Sequence, residues 1–197
     1  MERIARVGVF VLCLLPFAWL VYAAATGGLG PDPADAVMHI TGEWALRILA
    51  LTLLVSPLRA WTGWAPLLRL RRMLGLFAFF YACVHLLAFL QLFIGWQTSA
   101  LVEELAERPY ITVGFGAWLL MLPLALTSTR GWQRRLRRNW VRLHRLVYAS
   151  AVLACLHLLW QARSDIGEAL LYGVIFAVLL GWRLQRQRRP QGRAREA

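Results

Sequence analysis

RRMLGLFAFFYACVHLLAFLQLFIGW, residues 71–96, opens on two arginines and then runs from Met73 to Trp96 without a formally charged side chain. At 1.5 Å per residue a helix needs about 20 residues to cross a hydrocarbon layer about 30 Å thick, so this run is long enough to span a membrane. Near its middle sits His85. An ionisable side chain is expensive at that depth, so an intramembrane histidine is a functional candidate by default.

Working outward, five more apolar runs have the same character. They cover residues 7–25, 42–58, 110–129, 143–161 and 166–182. The second is the weakest, because Glu43 and Arg47 fall in its first turns; spaced i, i+4, they can pair on one helix face. The expected fold is an all-α integral membrane protein, a bundle of six transmembrane helices formed by one membrane domain over residues 1–197. The composition agrees: 59% of the 197 residues are apolar and the mean hydropathy is +0.54, too hydrophobic for an ordinary soluble domain.

The net charge of +12 raises the question of nucleic acid, but all 22 basic side chains are arginines placed in short blocks between apolar runs. Such placement is a topology signal and not a binding stripe. Arg3 and Arg6, the Arg59–Arg72 connection, the Arg130–Arg145 connection and a basic tail from Arg183 hold 19 of the 22 arginines on one side. Eight of the ten carboxylates fall on the other. The positive-inside rule therefore places both termini in the cytoplasm. Trp61, Trp64, Trp96, Trp132, Trp140 and Trp182 lie near expected span ends, where an interfacial aromatic belt belongs. The N-terminal stretch ending in Ala23-Ala24-Ala25 has some features of a signal peptide, but its apolar run is long for one. Cys13, Cys83 and Cys155 show no paired spacing and read as buried small residues.

Depth then selects among the histidines. His85 lies about 20 Å and His157 about 22 Å from the arginine-rich side, at 1.5 Å per residue. The two can grip one iron from opposite sides as axial ligands of a haem held between helices. His144 sits at the arginine-rich rim with no histidine at its own depth; Arg71 and Arg72 occupy that level of the third span. Thirteen residues separate His144 from His157, about 220° past three whole turns, so the two do not share a face of a straight helix. Hydrogen-bonded structural histidines are the plainer alternative. His39 is expected in a solvated outer loop before Gly42. Arg47 is a candidate for neutralising haem propionates at the outer surface.

Several motifs in order carry a resemblance: Gly27-Gly28-Leu29-Gly30, Thr41-Gly42-Glu43-Trp44-Ala45-Leu46, Arg71-Arg72-Met73-Leu74-Gly75-Leu76, Arg108-Pro109-Tyr110-Ile111, Thr127-Ser128-Thr129 and Leu143-His144-Arg145-Leu146-Val147-Tyr148. From about residue 8 to 183 the chain resembles the MsrQ (YedZ) family, haem-binding membrane subunits of the protein-methionine-sulfoxide reductase system MsrPQ. The family is similar to ferric reductase and NADPH oxidase transmembrane domains, six-helix cytochromes b. The resemblance implies a bacterial inner-membrane cytochrome that passes electrons to MsrP, a periplasmic molybdopterin enzyme repairing oxidised methionine in envelope proteins. It places the haem histidines on His85, His144 and His157. It implies one or two haems b, flavin mononucleotide (FMN) and quinol, although no residue pattern here marks a site for the last two.

A vectorial electron carrier needs a donor side, a protected redox centre and an exit face. Outer loops 26–42 and 97–109, with Asp32, Asp35, Glu103, Glu104 and Glu107, are the candidate docking face for the partner. No glycine-rich dinucleotide fingerprint appears, so the expected donor is membrane quinol or a separate flavin reductase. No nucleophile or proton-abstracting constellation is evident, and no side-chain catalysis is expected. Two other classes stay open: a quinol-linked cytochrome b anchor of another oxidoreductase, and a small proton-coupled transporter with the histidines as relays. A cofactor-free scaffold is a further alternative.

Overall fold

A computed structural model describes residues 2–162 and 166–188; Arg163 and the tail from residue 189 lie outside the described residues. The described residues are almost entirely helical and contain no strand. The helices are α1 (Glu2–Thr26), α2 (Pro33–Thr62), α3 (Leu67–Phe89), α4 (Thr98–Glu107), α5 (Pro109–Leu126), α6 (Arg130–Leu136), α7 (Arg138–Leu143), α8 (Leu146–Gln161) and α9 (Gly167–Arg188). Six helical stretches among them are long and apolar enough to cross a membrane, one for each expected span.

Boundaries differ from the sequence expectation where capping chemistry is strong. The second helix starts at Pro33, not near residue 42, because Asp32 accepts the Asp35 backbone N–H at 3.0 Å and Pro33 is preset for the first turn. His39 is therefore helical and not in a loop, though still exposed, with 61% of its side-chain surface accessible. The helix ends where Gly63 adopts φ 69° and returns its N–H to the Arg59 carbonyl. Arg69, Arg71 and Arg72 belong to the first turns of α3 rather than to a connection. Beyond Phe89 that helix widens into a π-helical turn, Leu90–Ile94, which Gly95 terminates at φ 60°. The segment expected as outer loop 97–109 folds largely as α4.

The arginine block 130–145 is not one rod. It breaks at Arg137, where φ is 47°, and again in the turn at His144 and Arg145. His144 thus precedes α8 instead of lying within it, and counting 100° per residue from His144 to His157 does not apply.

Packing is by close approach of small and β-branched residues. The α2–α3 and α5–α8 pairs make the broadest contacts. Thr41, Ile48, Ala78, Tyr81, Ser150 and Ala151 are all but inaccessible. Ser150 Oγ donates to the Ala117 carbonyl at 2.9 Å, tying α8 to α5 through a buried hydrogen bond where both helices carry small residues. By contrast Val7, Leu12, Leu15, Trp19 and Tyr22 of α1 are exposed, as apolar side chains facing lipid must be.

Pro16 interrupts α1, and Tyr81 of α3 mends the interruption. The Tyr81 hydroxyl accepts the Phe17 N–H at 3.0 Å and donates to the Cys13 carbonyl at 2.8 Å. It stands between a donor and an acceptor that a regular helix would pair directly, an insertion into the ladder next to a proline. No water is available in hydrocarbon to satisfy those groups, so the tyrosine both satisfies them and holds α1 on the bundle.

Candidate functional site

At the acidic end of the bundle, α2, α3, α5, α8 and α9 enclose a cavity of about 290 Å³, with Phe93 of the π-helical turn and Leu101 and Leu105 of α4 along its edge. His85 from α3 and His157 from α8 line it. Their ring centroids are 6.2 Å apart and their planes stand at 82°.

Both imidazoles are oriented by backbone. His157 Nδ1 meets the Tyr110 carbonyl at 2.7 Å. His85 Nδ1 meets the Met38 carbonyl at 3.1 Å and Thr41 Oγ1 at 3.2 Å. A carbonyl oxygen only accepts, so in each ring Nδ1 carries the proton and Nε2 keeps its lone pair. Thr41 spends its own hydroxyl proton on the Val37 carbonyl at 2.7 Å, which leaves its oxygen free to accept. A ligating histidine in metalloproteins is typically held this way, its second nitrogen donating to a carbonyl that fixes the tautomer and the ring direction.

Two glycines make room for the rings. A Cβ on Gly42 would lie 3.2 Å from His85 Cε1, and one on Gly114 only 2.6 Å from His157 Nδ1. Each imidazole therefore lies flush against the backbone of a neighbouring helix. Nothing in the charge or spacing of the histidines pointed to these two positions. The only signal in the sequence was a glycine within an apolar span, where a side chain would normally pack.

The donor set can be tested against a haem. The ring centroids stand 6.2 Å apart, which leaves space between the two imidazoles for a metal ion that both would hold. Two neutral imidazoles, each with Nδ1 held on a carbonyl, are a donor set that would suit a haem iron, and ligation by both would favour electron transfer over oxygen binding.

At the cavity rim the side chains are charged. Arg47 Nη2 pairs with Glu43 at 2.8 Å, its Nε donates to the Tyr172 hydroxyl at 3.2 Å, and its guanidinium lies 5.1 Å over the Trp44 ring. Arg47 is thus held by α2 and α9 and is not among the side chains lining the cavity. His39 Nε2 lies 3.5 Å from Glu43 and 3.8 Å from Glu168. Glu168 and Tyr172 enter this network from a helix 125 residues away in sequence from Arg47, so local reading could not supply them.

His144 is elsewhere. It lies at the arginine-rich end, its ring stacked on Trp140 with centroids 3.8 Å apart and Nδ1 at 3.1 Å from the Trp140 carbonyl. It does not line the cavity that holds His85 and His157. On the acidic surface Asp32 is occupied as the cap of α2, while Arg108 pairs with Glu104 at 3.2 Å.

Comparison with known proteins points the same way. Residues 41–155 match the family described as ferric reductase like transmembrane component. The chain is 55% identical over 166 residues to the protein-methionine-sulfoxide reductase heme-binding subunit MsrQ of Xanthomonas axonopodis pv. citri (strain 306), covering 84% of this chain and 76% of that one. It is 52% identical over 186 residues to the protein of the same name from Xanthomonas oryzae pv. oryzae (strain MAFF 311018), with 91% and 85% covered. The protein of that name from Rhodospirillum rubrum is 46% identical over 196 residues, with 98% and 94% covered. No solved structure matches.

Proposed function

Because the chain belongs to the MsrQ family of ferric-reductase-like transmembrane proteins, we propose that it is the b-type cytochrome of a methionine sulfoxide reductase system. In this reading it carries electrons across the bacterial inner membrane to a periplasmic MsrP-type molybdopterin reductase. The observation that carries the proposal is the His85–His157 pair, with both Nδ1 atoms on carbonyls and the ring centroids 6.2 Å apart.

When bound, a haem supplies reversible one-electron chemistry at iron. The chain does the rest. His85 and His157 would hold it through Nε2, and Met38, Tyr110, Gly42 and Gly114 keep the rings in place. Apolar side chains such as Phe89, Phe115 and Trp118 line the cavity and lower its dielectric, a lever on potential. Arg47, tied to Glu43 and Tyr172, would add positive charge near the rim without entering the cavity. The arginine-rich end faces the cytoplasm by the positive-inside rule, which puts the His85–His157 centre in the periplasmic half, near the partner's docking face. Electrons reach it from quinol or a separate flavin reductase, with FMN implied by the family. A second haem at His144 would require a ligand other than histidine.

The test is the dithionite-reduced minus oxidised visible spectrum of detergent-purified protein, with pyridine haemochrome quantitation. A sharp low-spin b-type α band is expected, and the haem-to-protein ratio counts the sites. Colourless, folded protein from haem-replete cells would overturn the proposal.

A further inference from the structure

A second cavity, of about 610 Å³, opens at the arginine-rich end, far along the bundle from His85 and His157. The last turns of α2 contribute Ser56, Arg59 and Ala60, its C-cap is Gly63, α3 contributes Leu68, and the end of α9 contributes Trp182, Arg183 and Arg186. Three of these side chains are permanently cationic and none is acidic. Arg71 lies close enough to Arg183 for their charges to repel.

Arg183 is the informative residue. Its Nη2 donates to Ser56 Oγ, and its guanidinium carbon sits 4.9 Å over the Tyr148 ring. Its Nη1 is buried and meets no acceptor at normal hydrogen-bond geometry among the described residues, while the Tyr148 hydroxyl lies close enough to help hold the charge. A buried charged donor short of acceptors is costly; repulsion from Arg71 adds to the cost and the Tyr148 contact offsets part of it. The occluded Nη1 is itself closed to a ligand, but among the described residues three guanidinium groups and no acidic side chain line the cavity, a lining that suits a small anion held between α2 and α9.

We propose that this cavity binds a phosphate group through Arg59, Arg183, Arg186 and Ser56. Guanidinium forks match phosphate oxygens in geometry and charge better than any other side chain. Ser56, already accepting from Arg183, keeps its own hydroxyl proton to donate. Two sources share this chemistry: the headgroup of an anionic phospholipid, or a soluble phosphate. The surroundings suit the headgroup, because Leu68, Trp61 and Trp64 are exposed beside it, as apolar side chains at a lipid interface are. Basic pockets between membrane helices are a recognised mode of binding acidic lipids. The site is independent of whether the first cavity holds a haem.

The experiment uses the full chain in detergent and in nanodiscs. Thermal midpoints are compared between discs of phosphatidylcholine alone and discs with added phosphatidylglycerol, and in detergent between inorganic phosphate and chloride at equal ionic strength. Native mass spectrometry counts retained lipid. Wild type is expected to gain stability from one of the two: lipid-only stabilisation identifies the headgroup, and phosphate-only stabilisation identifies a soluble ligand. Arg183→Gln weakens that binding about tenfold or more, the loss of one charge-assisted hydrogen bond. Should Arg183→Gln fail to fold, Arg59→Gln combined with Arg186→Gln, both at exposed rim positions, gives the same reading. Arg134→Gln, an exposed change of equal charge on α6, should leave binding intact. Equal loss in Arg134→Gln and the cavity variants would reduce the effect to bulk charge and overturn the proposal. So would a wild type indifferent to both ligands.

Discussion

Replacing Gly114 with alanine places a methyl carbon 2.6 Å from His157 Nδ1, 2.8 Å from Cε1 and 3.0 Å from Cγ. Ordinary contact begins near 3.4 Å, so the ring or the helix must retreat by about 0.8 Å. The helix is poorly placed to yield, since the Ser150–Ala117 hydrogen bond clamps α5 to α8 one turn away. The ring is tethered as well, by the 2.7 Å contact to the Tyr110 carbonyl. Giving up that bond costs about 1 kcal/mol, and overpacking a tight site costs about 1–3 kcal/mol. More damaging for function, ligands must hold their geometry within about 0.5 Å, which the retreat exceeds. Purified Gly114→Ala should therefore lose most of its haem, or retain it with a broadened, partly high-spin spectrum. Gly42→Ala, whose Cβ would sit 3.2 Å from His85 Cε1, should show a milder loss. Gly116→Ala, two residues along the same helix, meets only Leu153 Cδ1 at 3.6 Å and should keep full haem. Haem content by pyridine haemochrome and low-spin signals by electron paramagnetic resonance provide the readout. A Gly114→Ala protein with wild-type haem content and α band would refute the reasoning that this glycine positions His157.

His85→Ala and His157→Ala should each abolish most haem binding, whereas His39→Ala, exposed at the rim, should not; equal haem in all three at matched protein amounts would sink the pairing. Tyr81→Phe orphans the Phe17 N–H and the Cys13 carbonyl and should destabilise the bundle by about 2 kcal/mol, read as a lower unfolding midpoint in mild detergent; an unchanged midpoint would show that α1 closes its own ladder there. Arg47→Gln should retain haem and lower its midpoint potential, because losing a positive charge favours the ferric form. Redox titration checks this, and an unmoved potential would place Arg47 outside the haem's field.

How much of this was legible in the chain depends on how local the cause is. The cost of exposing polar backbone and charge to hydrocarbon acts on each segment separately, so six apolar runs and the arginine blocks between them announce six spans. The same argument orders side chains by depth, since 1.5 Å per residue counts from any charged boundary. That is why His85 and His157 could be picked out as one level and His144 as another. Helix starts were less legible where a cap outweighed hydropathy: Asp32 and Pro33 extended α2 by several residues and took His39 with them.

Depth is a one-dimensional coordinate along a helix, so it can be counted off the chain, together with the number of spans and the residue types available at each level. Azimuth is different. Which way a ring points depends on how two helices roll against each other, and that is set by partners distant in the chain. Packing between helices made Met38 and Tyr110 offer carbonyls to the two imidazoles, and Gly42 and Gly114 leave space for them. It also committed Arg47 to Glu43 and Tyr172, set His144 in a turn against Trp140, and gathered Arg59, Arg183 and Arg186 around one cavity. Each of these is a contact between elements, specified by side-chain shape at a shared surface, and no single segment carries the information for both sides.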